Sequence, residues 1–221
     1  MEILIVAATS DEVQPTFDHC TSHWIQNANG TLTRGQATVR FLISGPGMYR
    51  MAYAMGRSLG RWQFDLCINA GIAGVYPGKG SIGDVVHVTE EIVGDLGSED
   101  RDGSLLTFQD IALQEDLPST RLLNEHAGRF DFLPAAVGIT VNTTSGTERT
   151  INERIRRYDP GVETMEGAAF FYCCLKEEVE FIELRGISNV VEPRDSSRWQ
   201  IPQAIEALNA QLIEMINLLG H

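Results

Sequence analysis

Glu2-Ile3-Leu4-Ile5-Val6-Ala7-Ala8-Thr9-Ser10-Asp11-Glu12 opens the chain and decides its fold class. Residues 2–8 form a short, unbroken apolar run, as a buried strand requires. Polar residues end it at once, and Ser10 is expected to cap a helix beginning at Asp11. The same alternation continues downstream. Strands are expected at 36–44, which stops at Gly45-Pro46-Gly47, at Phe64–Ile68, which ends in Asn69-Ala70-Gly71-Ile72-Ala73-Gly74, and at Gly83–Val88, Ala135–Val141 and Glu180–Ile187. Helices are expected from Tyr49 to about Leu59, over Glu148–Tyr158, over the apolar stretch Glu163–Leu175 and over the amphipathic Ile201–Leu219. The polar, acidic stretch from Gly94 to Ser119 reads as a long excursion from the sheet, of the kind that often covers a binding site. Interleaved strands and helices predict an α/β three-layer sandwich: a central mixed, largely parallel twisted sheet flanked by helices. No linker divides residues 1–221, so one domain is expected.

A net charge of −13 repels phosphate backbones and anionic membranes, which argues against nucleic acid and membrane surfaces as partners. No apolar run approaches the roughly 20 residues needed to span a bilayer. Met1-Glu2-Ile3 lacks the basic start of a signal peptide, and a cytoplasmic location is expected. Cys20, Cys67, Cys173 and Cys174 form no Cys-x-x-Cys pair, and three of the four lie in apolar runs, so buried free thiols are expected.

Four polar or glycine-rich clusters follow expected strands: Thr9 to Glu12, Gly45 to Met48, Asn69 to Gly74, and Ser188-Asn189. Ligands of open α/β sheets bind beyond the carboxyl ends of the strands, so four such clusters point to one shared pocket. Turn chemistry alone would explain any one of them. Glu166 is the most informative residue. Its setting, Met165-Glu166-Gly167-Ala168-Ala169-Phe170-Phe171, is small and apolar, and an unpaired carboxylate there would cost several kcal/mol. It either faces outward, pairs with an arginine such as Arg185, or accepts both hydroxyls of a vicinal diol such as ribose. Glu12 is explained more readily by the helix macrodipole, and Asn189 can simply make an Asx-turn. His19 and His23 are four apart without a third ligand at zinc-site spacing, so no metal is expected. The glycine clusters match neither phosphate-binding fingerprint.

Five segments occur in order: Ile3 to Ala8 with Glu12-Val13, Asn69 to Gly74, Gly83-Asp84-Val85-Val86, Met165 to Ala169, and Arg185-Gly186-Ile187-Ser188-Asn189. Together they resemble the purine nucleoside phosphorylase and nucleosidase superfamily, most closely its futalosine hydrolase branch. The resemblance implies hydrolysis of a purine nucleoside at its N-glycosidic bond, with water as nucleophile, no cofactor, and a homodimer. It implies that Glu12 activates water, that Glu166 binds the ribose hydroxyls, and that Asn189, following Ser188, contacts the leaving base. Met165, Ser188, Ala70 and Gly71 are the further substrate contacts that it implies.

Two departures refine this. Adenine-specific nucleosidases carry Asp where Asn189 stands. An amide offers both a donor and an acceptor, which suits a 6-oxopurine, so the resemblance implies hypoxanthine leaving from futalosine, a 5′-modified inosine. Phosphorylases of this superfamily carry an Arg where Asn69 stands, so a principal phosphate ligand is missing. The benzoate on futalosine's 5′ arm calls for a cation, for which Arg194, Arg198 and the 94–119 region are candidates. The alternatives are a methylthioadenosine-type nucleosidase, a nucleoside phosphorylase, and a non-catalytic nucleoside-binding protein.

Overall fold

The computed structural model describes residues 1–107, 110–111, 120–130 and 132–220. Its strands are β1 (Glu2–Ala7), β2 (Ile25–Gln26), β3 (Leu32–Arg34), β4 (Ala37–Ile43), β5 (Leu66–Val75), β6 (Val85–Val93), β7 (Ser98–Glu99), β8 (Leu105–Leu106), β9 (Arg121–Leu123), β10 (Ala135–Thr140), β11 (Val162–Thr164) and β12 (Glu180–Val190). Its α-helices are α1 (Ser10–His23), α2 (Met48–Leu59), α3 (Glu148–Tyr158), α4 (Gly167–Lys176) and α5 (Ile201–Leu219).

The main sheet runs β11-β10-β6-β12-β5-β1-β4-β3-β2, with β9 beside β6. β1, β4, β5 and β12 are parallel, whereas β12 meets β6 antiparallel, so the sheet is mixed. β11 pairs with β10 and also with the end of β5, which curls the sheet back on itself.

Alternation along β1 sends successive residues to opposite faces and so builds two apolar layers. Ile3, Ile5 and Ala7 pack with Val13 and Cys20 of α1 and Leu208, Leu212 and Ile216 of α5. Leu4 and Val6 pack with Met51 and Met55 of α2 and Phe170, Phe171 and Cys174 of α4. Each fully buried phenylalanine contributes about 2 kcal/mol of apolar transfer. Among the described residues, no helix is long and apolar enough to cross a membrane. Cys20, Cys67 and Cys174 are buried free thiols, and desolvation pushes the Cys20 thiol up to about 12.

Several boundaries differ from the sequence expectation. Helix α1 begins one residue early, with Thr9 rather than Ser10 at its N-cap. Gly83 lies outside β6 because its φ of +90° is left-handed, and the strand then continues to Val93. Val162-Glu163-Thr164 is a strand, so the expected helix starts at Gly167. The backbone of β11 is taken by β10 and β5, which outweighs the helical continuity of the stretch. Asn69–Gly74 and Ser188-Asn189 do not follow strands but lie within β5 and β12. Each of these strands is the other's parallel partner, which supplies ladder bonds that local turn chemistry cannot match. Of the 94–119 stretch, the described part forms the β7–β8 hairpin; residues 108, 109 and 112–119 lie outside the described residues.

Candidate active site

A cavity of about 380 Å³ opens at the carboxyl ends of β1, β5 and β12. Glu12, Met165, Glu166, Ser188 and Asn189 all line it, and Ile72, Ala73 and Gly74 form the β5 wall. Ala70 and Gly71 are not in this lining. Ala70 points into the core with Val13 and Leu184, whereas Gly71 lies beneath the site, where any β-carbon would collide with Arg185 Nη1 and stand 2.8 Å from Glu12 Oε1. Among the described residues, none of 94–119 contributes to the wall.

Glu12 arrives by the strand-to-helix turn. Its Oε2 accepts the amide and hydroxyl of Thr9 at 2.8 and 3.0 Å, closing the first turn of α1. Oε1 accepts the amide of Ile72 at 3.0 Å. Glu12 thus sits in the first helical turn, where the macrodipole favours an acid, and closes a capping box there, yet the carboxylate also reaches across to β5. Each carboxylate oxygen has two lone pairs, so Oε1 keeps one for a further donor.

Glu166 is the N-cap residue of α4, and its Oε1 accepts the amide of Gly47 at 2.8 Å. Gly47 has φ +99°, a conformation side chains rarely adopt, and this lets the loop after β4 turn its amide toward the carboxylate. No partner bond to Oε2 is formed among the described residues, leaving it for a ligand. Burial raises the Glu166 pKa; the Arg185 guanidinium and the Gly47 amide pull it back, while Glu12 and Glu183 push it further up.

Asn189 is aimed by a bulge. Ile187 pairs with Ala73 and Asn189 with Gly74, so Ser188 is an extra residue that re-aims the strand. Its hydroxyl lies 2.8 Å from Asn189 Oδ1 and 3.2 Å from the Ala73 carbonyl, while Asn189 Nδ2 donates to the Val190 carbonyl at 3.1 Å. The amide keeps one N–H and one lone pair unused. Gly74 gives it room, since a β-carbon there would stand 3.0 Å from Nδ2.

Other residues that the sequence reading missed complete the wall. Glu163 accepts the Ser145 amide at 2.7 Å, the Ser145 hydroxyl at 2.6 Å, Tyr76 Oη at 2.9 Å and Arg154 Nη1 at 2.9 Å, and so fixes the loop that carries Thr144 and Ser145. Trp199 also lines the cavity, with Arg194 stacked 5.1 Å from its ring centre. A polar Glu163 flanked by Val162 and Thr164 was the available signal for a buried, paired acid. Among the described residues, Arg194 is the cation of the lining, against Asp11, Glu12, Glu163, Glu166 and Glu192. Arg198 is held by Glu192 at 2.9 Å. His19 and His23 stack on α1, and no group of three or more His, Cys, Asp and Glu among the described residues could hold a metal.

Asn69 does not reach the cavity. It is buried, with Nδ2 donating to Glu183 Oε2 at 3.1 Å. Arg185, also buried, donates from Nε to Glu183 Oε1 at 2.9 Å and extends its guanidinium beneath Gly71 toward Glu12. It forms no close ion pair with Glu166; Gly47 takes that place.

A curled mixed sheet with carboxylates gathered at its strand ends defines an α/β protein with a small-molecule site at the topological switch. The chain belongs to the phosphorylase superfamily, whose family model matches residues 2–217. It is 34% identical to a futalosine hydrolase of Acidothermus cellulolyticus over 93% of this chain and 85% of that protein. It is also 34% identical to a futalosine hydrolase of Thermus thermophilus over 76% of each. A futalosine hydrolase structure from Helicobacter pylori shares the fold, with TM-score 0.80 and 14% identity across 98% of this chain and 97% of that one. A 5′-methylthioadenosine/S-adenosylhomocysteine nucleosidase from the same organism also has TM-score 0.80 at 14% identity, covering 98% of each chain.

Proposed function

We propose that this chain hydrolyses the N-glycosidic bond of a purine nucleoside with a 5′ extension, futalosine, releasing hypoxanthine. The observation that carries the reading is the convergence of Glu12, Glu166 and Asn189 on one cavity. Similarity to the futalosine hydrolases of two organisms supports the same substrate.

Departure of the base leaves an oxocarbenium-like sugar, so the barrier falls when the base is stabilised and a nucleophile is waiting. Glu166 Oε2 accepts from the ribose hydroxyls. Glu12 Oε1 takes the proton of a water whose oxygen bonds to the anomeric carbon as the carbon–nitrogen bond breaks and its electrons pass to the purine. The free N–H of Asn189 donates to the 6-oxo oxygen, and its free lone pair accepts from a ring nitrogen protonated by solvent. Ser188 holds the amide in that orientation.

Water is favoured over phosphate by charge. Phosphate would enter a lining in which Asp11, Glu12 and Glu166 form no ion pair among the described residues, at a cost that water does not meet. Arg194 is the cation for the carboxylate of the 5′ arm, because Arg198 is already engaged by Glu192. The aromatic ring of that arm stacks on Trp199. The enzyme acts as a homodimer in the cytoplasm.

Incubation with futalosine, inosine and methylthioadenosine, each with and without phosphate, tests the reading. Hypoxanthine and a free reducing sugar should form fastest from futalosine, without phosphate dependence. Adenine release from methylthioadenosine, or a sugar phosphate product, would replace it with nucleosidase or phosphorylase chemistry.

A further inference from the structure

Beneath the cavity lies a pair of carboxyl groups that no step above uses. Glu91 of β6 and Glu183 of β12 are both fully buried. Ala136 pairs with Val88 but Val137 pairs with Glu90, so Thr89 is an extra residue in β6. This bulge puts Glu91 on the same face as Val88, which lies directly across from Glu183. Both carboxyls then crowd Gly167 at the start of α4. A β-carbon there would stand 2.6 Å from Glu183 Oε1 and would overlap Glu91 Oε1.

Their other contacts assign a charge to each. Glu91 accepts the Thr140 hydroxyl at 2.7 Å and lies 3.3 Å from the Thr164 hydroxyl, both neutral. Glu183 accepts the Asn69 amide at 3.1 Å and the Arg185 Nε at 2.9 Å. The cation sits on Glu183, so the charge of the pair belongs there and the proton to Glu91. Burial beside Glu183 drives the Glu91 pKa well above the usual carboxylate range. From the remaining elements, Glu166 of α4 and Glu12 of α1 act on the same guanidinium, and Asn69 of β5, Thr140 of β10 and Thr164 of β11 are neutral. His87 falls on the opposite face of β6, across from Leu184. One arginine therefore faces Glu12, Glu166 and Glu183, and its close ion pair is with Glu183; its pull on Glu91 is outweighed by burial and by the Glu183 charge. Arg185 Nη2 itself has no hydrogen-bond partner among the described residues, so Glu183 is the anchor that sets its position.

We propose that Glu91 and Glu183 are positioning residues that share one proton, and that this pair fixes the Arg185 guanidinium beneath Gly71, on the side that faces Glu12, for turnover. The inference rests on the hydrolase reading above. Loss of the shared proton places a second anion beside Arg185, draws the guanidinium away from Glu12 and lowers kcat at alkaline pH.

Kinetics and infrared spectroscopy on the full chain test it. Gln at position 91 is a permanent neutral donor, so Glu91→Gln should keep kcat for futalosine within about twofold at neutral pH and lose the alkaline fall. Glu183→Gln should lower kcat about tenfold or more with KM little changed. A protonated-carboxyl band should be present in the wild type, weaken as pH is raised, and be reduced in Glu91→Gln. In the wild type alone, loss of that band and the fall in kcat should share one apparent pKa, which decides the matter even where a variant does not fold. A wild-type alkaline limb in Glu91→Gln, equal losses in both variants, no such band, or two different apparent pKa values would overturn the proposal. A wild type with the band and no turnover on any nucleoside would overturn the hydrolase reading and the positioning role, while leaving the shared proton standing.

Discussion

Glu12, in the first turn of α1, accepts the amide of Ile72 from the middle of β5 at 3.0 Å. One hydrogen bond thus ties the carboxylate to the strand that walls the cavity, and the Thr9 amide and hydroxyl hold its other oxygen. In the proposed role of base, a carboxylate locked in this way needs no reorganisation before it takes a proton. Glu12→Gln keeps an acceptor for one of these two amides and has no basicity. Its kcat for futalosine should fall about 100- to 10,000-fold with KM nearly unchanged, measured by hypoxanthine release. Turnover at the wild-type rate would remove Glu12 from the chemistry.

Glu166 offers its free oxygen to the ribose only as a carboxylate. Burial raises its pKa, so as pH falls the acid form accumulates earlier than for an exposed glutamate, and kcat/KM should decline on that side. The apparent pKa of the acidic limb should lie above the ordinary value of about 4.3. Glu166→Gln should abolish that limb and shrink the preference for inosine over 2′-deoxyinosine, which competition between the two measures directly.

In the proposed reading Asn189 selects the base. Asn189→Asp places a carboxyl beside Ser188, where the protonated form donates to a ring nitrogen and the other oxygen accepts from a 6-amino group. Activity should move from inosine toward adenosine by about tenfold or more. Unchanged preference would assign base selection to another part of the wall, such as the Thr144-Ser145 loop.

Arg194 and Arg198 sit within one short segment but have different bonds. Arg194→Ala should weaken futalosine binding by about tenfold and leave inosine unaffected, because only futalosine carries the distal carboxylate. Arg198→Ala should change neither, since it frees Glu192 without removing a ligand contact. Equal effects on both substrates, read from their KM values, would detach Arg194 from the 5′ arm.

Stability should report Glu91 independently of any substrate. Its folded pKa is raised, so between the unfolded value of about 4.3 and the folded value the native state holds more protons than the unfolded chain. Its contribution is complete below that window and is lost as pH rises through it, at up to about 1.4 kcal/mol per pH unit. Glu91→Gln cannot lose a proton, so its advantage over the wild type in urea unfolding should grow from acidic to alkaline pH. A constant difference would mean that Glu91 is ionised in the native state.

Much of the architecture was legible because burial has a period. The apolar run 3–8 and the alternation around Val39 announced strands, and the 3.6-residue pattern announced α5. The errors lay where long-range pairing overruled local preference. Asn69–Gly74 reads as a glycine-rich loop, yet β12 supplies a partner along its whole length and it remains strand. Val162–Thr164 reads as the start of an apolar helix, yet β10 and β5 both claim its backbone. Phe181-Ile182-Glu183-Leu184-Arg185 carried a further signal: opposite charges two apart within an apolar strand share one face and must be a buried pair.

The sequence by itself determined the interleaving of strands and helices, the acidic character of the chain, and Glu166 as a carboxylate out of keeping with its surroundings, while Glu12 and Asn189 were singled out by the family resemblance. Only the tertiary structure decided that these three border one cavity, that Ala70 and Gly71 do not, and that Arg185 lies beneath the site, held by Glu183. The physical reason is that polarity and period are properties of neighbouring residues. Hydrogen bonds such as Glu12 to Ile72 and Glu166 to Gly47, and the face that a bulge gives to Glu91 or Asn189, depend on strands brought together from distant parts of the chain.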